Sequence, residues 1–205
     1  MTRSLIKESA NNPSRLHIPD SLIREEINGK PYYYKGYKSV LRKEKKLSDI
    51  MGSSGLQALI VEILLNFLFQ RMGRKKYRFF SNEVGGHIKK GTNLSFDIAV
   101  FDKKKLPLDQ ITPYYVSVPP KIVFEIDVKI DEEDENALSY MDTKTKILFE
   151  HGTELVIWVL TKPQKLFIAR TDQQWEFISW DQDVAITENI ILNLAALLKD
   201  EEDAE

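Results

Sequence analysis

Asp97 stands inside an otherwise apolar run, Phe96 to Phe101, and three more charged side chains, Glu125, Asp127 and Lys129, punctuate the segment Lys121–Ile130 at every second position. Side chains two apart on an extended chain share a face. The spacing therefore predicts a strand over 121–130 with Ile122, Phe124, Ile126 and Val128 on one face. Val123, Glu125, Asp127 and Lys129 fall on the other. Carboxylates on a central strand cost free energy unless they are paired or bind metal. Phosphodiester hydrolysis needs an activated water and a stabilised leaving oxygen. Divalent metals supply both when a few carboxylates hold them and leave positions open. Magnesium prefers such hard oxygen ligands, and a lysine nearby offsets phosphate charge. Asp97, Glu125 and Asp127 are thus candidate metal ligands, with Lys129 beside them. The competing reading of the same pattern is a solvated ladder of Glu, Asp and Lys.

A second lysine enters through the next element. A helix is predicted at about 136–151, ended by Gly152. Met141 and Leu148 define its inner face, and Lys144 borders that face, three residues after one and four before the other. Such a lysine can reach along apolar surface toward the acidic strand, or it is an ordinary edge lysine. Lys146 points to solvent. The three histidines, His17, His87 and His151, are widely spaced and form no ligand motif. Gln57 lies near the start of an earlier helix and can face the site, whereas Glu62 falls on an exposed flank. No phosphate-binding GxxxxGK[ST] loop or GxSxG elbow is present.

The elements that must position these residues follow from periodicity. The aromatic segment Pro31-Tyr32-Tyr33-Tyr34 to Val40 reads as a short hairpin, with Asn28-Gly29 and Gly36 as turns. Leu56, Leu59, Ile60, Ile63, Leu64, Phe67 and Leu68 mark a helix over about 54–72. Strands are expected at 77–81, 86–89, 95–101 and 155–160, and a hairpin at 165–170 and 174–180. A final helix holds Ile190 to Leu198. A loop with Pro107 and Pro113 spans about 102–118. The strand-helix-strand unit over 121–160 should be a parallel crossover. The expected fold is an α/β mixed sheet flanked by helices, with an N-terminal hairpin and a C-terminal hairpin plus helix. The expected organisation is a flexible arm over 1–20, one domain over 21–200 and an acidic tail over 201–205.

The bulk composition narrows the field. The chain has 205 residues, 42% hydrophobic, which suits one domain with a sizeable core. There is no cysteine, so disulfides, thiolate chemistry and cysteine-bound zinc are excluded. The apolar stretch Leu56–Phe69 is interrupted by Gln57, Glu62 and Asn66 and reads as too polar and short to span a bilayer. No signal-peptide core is seen, so a cytoplasmic protein without membrane contact is expected. The net charge is -2. DNA binding would thus depend on local basic runs, Arg42–Lys46, Arg74–Lys76 and Lys103–Lys105, which otherwise read as solvated loop faces. Tyr32–Tyr34, Trp175 and Trp180 offer apolar surface for a homodimer, or they cap the protein's own core.

Several of these pieces, taken in order, resemble the Uma-two family of bacterial restriction-endonuclease-like proteins, which have the PD-(D/E)XK fold. They are Tyr34-Lys35-Gly36, Met51-Gly52-Ser53-Ser54, Ser95–Phe101, Pro119–Ile126, Lys144, Gly152 and Val156–Val159. The match runs from about residue 30 to the end. The resemblance implies a metal-dependent endonuclease acting on DNA, with Mg2+ as cofactor and Mn2+ as a substitute. Asp97, Glu125 and Lys144 match the family's aspartate, its glutamate and its helix lysine. This chain departs from the pattern at Ile126, which replaces a valine, and in one extra residue after Gly152. It departs again at Asp127 and Lys129, where the family carries an apolar residue and then serine or proline. Asp127-Val128-Lys129 is itself a D-x-K spelling of the superfamily motif, so Glu125 with Lys144 and Asp127 with Lys129 compete. The resemblance implies Asp97, Glu125 and Asp127 as metal ligands and Lys144 as the main catalytic lysine, with Lys129 second. A binding module on the same fold, without catalysis, is the alternative.

Overall fold

The computed structural model describes residues 18–131, 133 and 136–203. The arm expected over 1–20 and the acidic loop over 131–135 therefore lie largely outside the described residues. At the other end Glu201 and Glu202 belong to the last helix rather than to a tail.

One mixed sheet dominates. Its strands are β1 (Ile23–Ile27), β2 (Lys30–Tyr33), β3 (Tyr77–Lys89), β4 (Thr92–Asp102), β5 (Ile122–Ile126), β6 (Leu155–Leu160), β7 (Lys165–Arg170) and β8 (Glu176–Ser179). The order is β2-β1-β4-β5-β6-β7-β8, with β3 also paired to β4. β5 and β6 are parallel, joined by helix α4 (Ala137–His151), as a strand-helix-strand unit requires. The other pairings are antiparallel. A small hairpin, β9 (Val184–Thr187) with β10 (Ile190–Leu192), follows.

Both faces of the sheet are covered, which is why β5 is buried at every position. On one side Ile122, Phe124 and Ile126 pack with Ile157 and Val159 against Ile60, Leu64 and Leu68 of α3 (Gly55–Leu68). Leu194 of α5 (Leu194–Glu202) joins them. On the other side Val123, Val156 and Trp158 meet Tyr140, Met141 and Leu148 of α4, with Ile27 and Tyr32 of the first hairpin.

α3 starts at a capping box. Ser54 Oγ accepts from Gln57 N and Gln57 Oε1 accepts from Ser54 N. The helix runs on through a π-helical turn, Phe69–Gly73. At 19 residues and mean hydropathy 1.3 the combined helix is long and apolar enough, by composition, to cross a bilayer. This corrects the expectation that the stretch is too polar and short. Here its Ile60, Ile63, Leu64, Phe67 and Leu68 are buried.

Other expectations are corrected as well. The first hairpin turns at Asn28-Gly29, but Tyr37–Leu41 forms a short helix (α1) instead of a return strand. A further short helix, α2, spans Ser48–Met51. Segments 77–81 and 86–89 are one continuous strand, β3, which absorbs two extra residues relative to β4, one between Ser81 and Val84 and one between His87 and Lys89. Ile190–Leu192 is a strand, in keeping with its two β-branched isoleucines. The helix begins after Asn193, whose side chain accepts from Ala196 N. Of the aromatics considered as dimer surface or core caps, Tyr32 and Trp180 are buried, Trp175 packs edge-on to Phe149 and Phe167, and Tyr33 and Tyr34 are half-buried.

Most consequential is the end of β5. The strand stops at Ile126, and Asp127 adopts φ 57°, a left-handed conformation that Asp tolerates better than most residues. The alternation predicted through Lys129 is therefore broken one residue after Ile126.

Candidate active site

β4 changes partner along one edge. It pairs with β5 through Ile98–Val100 and with β1 at Asn93. Polar side chains fill the gap between. Asp97 Oδ2 accepts from Ile126 N at 2.7 Å, replacing a ladder bond where β4 and β5 part. Glu25 Oε1, from β1, accepts from Ser95 N at 2.9 Å. Lys144 Nζ, from α4, donates to Ser95 O at 2.7 Å.

Two ionic clusters grow from this gap. In the first, Lys144 is fully buried. Its Nζ donates to Glu25 Oε1 at 2.6 Å and lies 2.9 Å from Glu125 Oε1. Tyr140 Oη donates to Glu25 Oε2 at 2.7 Å. Burial alone would lower the Lys144 pKa, but Glu125 and Glu25 outweigh it and the pKa is raised. Glu125 is the member that gives way. Burial pushes its carboxyl up to about 8, against the pull of Lys144 and with the help of Asp97 and Glu25. Its Oε1 is buried and accepts no directed hydrogen bond, despite the nearby ammonium.

In the second cluster Lys129 Nζ donates to Asp97 Oδ1 at 2.6 Å and approaches Glu83 Oε1 at 3.5 Å. Glu83 Oε1 accepts in turn from the Arg24 guanidinium at 2.9 Å. A β-bulge places Glu83 here. β3 and β4 pair as Ser81 with Ile98 and Val84 with Phe96, so Asn82 and Glu83 together oppose Asp97, both with positive φ. Burial would raise the Glu83 pKa, but Arg24 and then Lys129 hold it below the usual carboxylate range. Lys129 is placed by the chain after β5, where Lys35 N donates to Lys129 O at 2.9 Å and Tyr34 bridges Ile130.

Together the clusters hold Arg24, Lys129 and Lys144 against Glu25, Glu83, Asp97 and Glu125, three cations against four carboxylates. With Glu125 protonated the set is neutral. With Glu125 ionised it carries one excess negative charge, which a cation would relieve.

A cleft of about 710 Å³ opens beside the second cluster. Arg24, Tyr34, Glu83, Asp127 and Lys129 form part of its wall, with Lys35, Lys45 and Lys162 adding positive charge. Of the three basic runs only Arg42–Lys46 reaches it, through Lys45. Arg74–Lys76 and Lys103–Lys105 meet each other where β3 begins and β4 ends, with Lys103 N donating to Lys76 O. Lys129 joins cleft to carboxylates, since it lines the one and touches Asp97 behind it. Lys144 is buried away from the cleft and is no part of its wall.

Asp127 sits apart from Asp97 and Glu125 in its bonding. Its Oδ1 accepts from Thr161 N at 2.7 Å, and its Oδ2 accepts from Thr161 Oγ1 at 2.6 Å and Gln57 Nε2 at 3.3 Å. It ties the end of β5 to the end of β6 and to α3. Gln57 Nε2 also donates to Ile126 O at 3.3 Å, so Gln57 faces the site, while Glu62 is exposed. His87 is exposed and bonds Asn93, and His151 ends α4; neither reaches the clusters. His17 lies outside the described residues. Sequence reasoning missed Glu25, Arg24, Glu83 and Tyr140.

Metal fit can be judged from the donors. Among the described residues no three His, Cys, Asp or Glu side chains converge as a ready metal site. Two buried carboxylates do adjoin, and Glu125 Oε1, though ion-paired to Lys144 at 2.9 Å, accepts no directed hydrogen bond. Magnesium commonly takes one or two carboxylates and fills its other positions with water and phosphate oxygens, so Asp97 and Glu125 fit a sparse site of that kind.

No protein-family model and no curated protein matches the sequence. The structure is similar to the crystal structure, at 1.96 Å, of a protein from Anabaena variabilis ATCC 29413 that belongs to DUF820 and is provisionally named a nuclease. The TM-score is 0.61 at 16% identity, over 85% of this chain and 89% of that one. At that identity the likeness establishes a shared fold, an eight-stranded mixed sheet flanked by helices.

Proposed function

We propose that this chain is a metal-dependent nuclease that hydrolyses phosphodiester bonds, with DNA as substrate and Mg2+ or Mn2+ as cofactor. The observation that carries this reading is the pairing of Asp97 with Glu125. They are two buried carboxylates on adjacent strands, one of them with a pKa of about 8, set behind a cation-lined cleft. The sequence resemblance to the Uma-two family and the fold shared with the DUF820 protein support it.

Asp97 and Glu125 would hold the metal. When bound, a divalent cation lowers the pKa of its water and offsets charge on the phosphate. The chain's own residues do the rest. Lys129, at the cleft wall, orients the attacking water or neutralises a phosphate oxygen once it leaves Asp97. Lys35, Lys45 and Lys162 attract the polyanion, while Arg24 holds Glu83 in place. Lys144 holds Glu25 and Glu125 in place rather than touching substrate, and Asp127 fixes the end of β5. The substrate-facing lysine is thus Lys129.

The test is a cleavage assay on single-stranded and duplex DNA with magnesium or manganese, beside Asp97→Asn and Glu125→Gln. Cleavage abolished by EDTA and by either substitution is expected. Cleavage indifferent to both, or no cleavage under any metal, overturns the reading.

One observation favours a second reading, a metal-free binding module. Lys129 and Lys144 already lie against the two carboxylates that would hold the metal. Calorimetric titration with magnesium or manganese separates the two: a flat trace from the intact protein selects the module.

A further inference from the structure

The loop between β4 and β5 carries exposed aromatic surface that neither cluster uses. Tyr114 is 83% exposed and Tyr115 58%. Yet Tyr115 is not loose. Val116 N donates to Gly85 O at 2.9 Å and Val116 O accepts from His87 N at 2.8 Å, which binds the loop to β3. The Tyr115 ring lies flat on the backbone of Gly85. A Cβ there would fall 2.4–2.7 Å from three of its ring atoms, so the absence of a side chain at position 85 makes the seat.

The seat adjoins the cleft. Gly85 is two residues from Glu83, a residue of the cleft wall, on the same strand. Tyr34, also of the wall, lies near Tyr115: burial, Glu83 and Tyr115 all push its phenol up. A fixed aromatic ring with one face backed by main chain and the other open, beside a cation-lined cleft, is the arrangement on which unpaired bases stack. Every base has a π-face, so such stacking is sequence-tolerant.

We infer that Tyr115 is a stacking platform for an unpaired base of a single-stranded nucleic acid whose phosphate enters the cleft. The inference deepens the nuclease reading and rests on it for the place of the phosphate. A duplex, whose bases are already stacked on one another, gains nothing from the platform.

The test uses the full chain in EDTA, so that binding is read without cleavage. Fluorescence anisotropy follows oligothymidylate and oligouridylate of about twelve nucleotides, an abasic strand of equal length and a duplex. Tyr115→Ala, at an exposed position that leaves the core intact, is expected to weaken binding of a base-bearing strand about 5- to 100-fold. Tyr115→Phe should bind like the parent. Abasic strand and duplex should not distinguish Tyr115→Ala from the parent. The loss is expected with either oligonucleotide, since thymine and uracil both offer a π-face. Unchanged affinity in Tyr115→Ala overturns the platform, as does a Phe variant as weak as Ala, an equal loss for the abasic strand, or no binding by the parent. Adding magnesium afterwards scores cleavage separately. Tyr115-dependent binding without cleavage keeps the platform and removes the nuclease; cleavage with Tyr115-indifferent binding does the reverse.

Discussion

Lys129 Nζ stands 2.6 Å from Asp97 Oδ1, so the carboxylate assigned to the metal is already held by an internal cation. The two cations compete for one oxygen. Removing the lysine should therefore help metal binding and harm catalysis. Lys129→Ala is expected to bind manganese several-fold more tightly by calorimetry while its cleavage rate falls about 100-fold or more. Weaker metal binding in the variant would place Lys129 as a structural support of Asp97 instead.

The raised Glu125 pKa sets a pH dependence. Its folded value, about 8, lies above the ordinary 4.5. Between those values the folded state holds a proton that the unfolded state has lost, so this group's contribution to stability is full below 4.5 and falls as pH rises to about 8. Metal binding must expel the same proton. Manganese affinity should rise about tenfold per pH unit from pH 6 and level off above 8. A flat profile in calorimetry would remove Glu125 from the ligand set.

Lys144 is predicted to matter more to folding than to chemistry. Its replacement by alanine strands Glu25 and Glu125 without a counter-charge in the interior. Breaking one side of a buried pair costs about 3–5 kcal/mol, or roughly 6–20 °C in Tm for a chain of this size. Lys129→Ala, partly exposed, should lower Tm far less. Thermal denaturation of both variants checks the contrast, and equal losses would contradict it.

Asp127 offers a contrast with Asp97. Alanine at 127 frees Thr161 and Gln57 and should cost about 2–4 kcal/mol of stability, with manganese affinity close to the parent's. Asp127→Asn, which tolerates the left-handed backbone, should be milder. Asp97→Ala should weaken metal binding sharply. Equal weakening by Asp97→Ala and Asp127→Ala would return Asp127 to the metal.

The sheet, the parallel crossover through α4 and the positions of Asp97, Glu125 and Lys144 were legible because each rests on local period or on a short apolar run around one charge. What lay beyond reach was set by pairing between distant segments. Alternation put Glu125, Asp127 and Lys129 on one face, but pairing of 129–131 with Tyr33–Lys35 turns the chain at Asp127. Glu25 sits in Ile23-Arg24-Glu25-Glu26-Ile27, where alternation puts it on the face of Ile27 and its neighbour Glu26 is half-buried, but nothing local names the partners a buried glutamate would need. Its burial is decided by Ser95, Tyr140 and Lys144, the nearest of them 70 residues away. Glu83 depended on a bulge that two consecutive non-glycine residues, Asn82 and Glu83, do not announce.

The first hairpin contributes both Arg24 and Glu25 to the ionic clusters, and that limits how the chain can be cut. A fragment starting at Gly55 would keep α3, the central strands and α4, and would pass for a self-sufficient core by its apolar contacts. It would also leave the Lys144 ammonium with Glu125 alone and strip Glu83 of its guanidinium. The hairpin is part of the charge balance of the interior rather than an appendage. The shortest piece able to keep the site intact must begin ahead of Arg24.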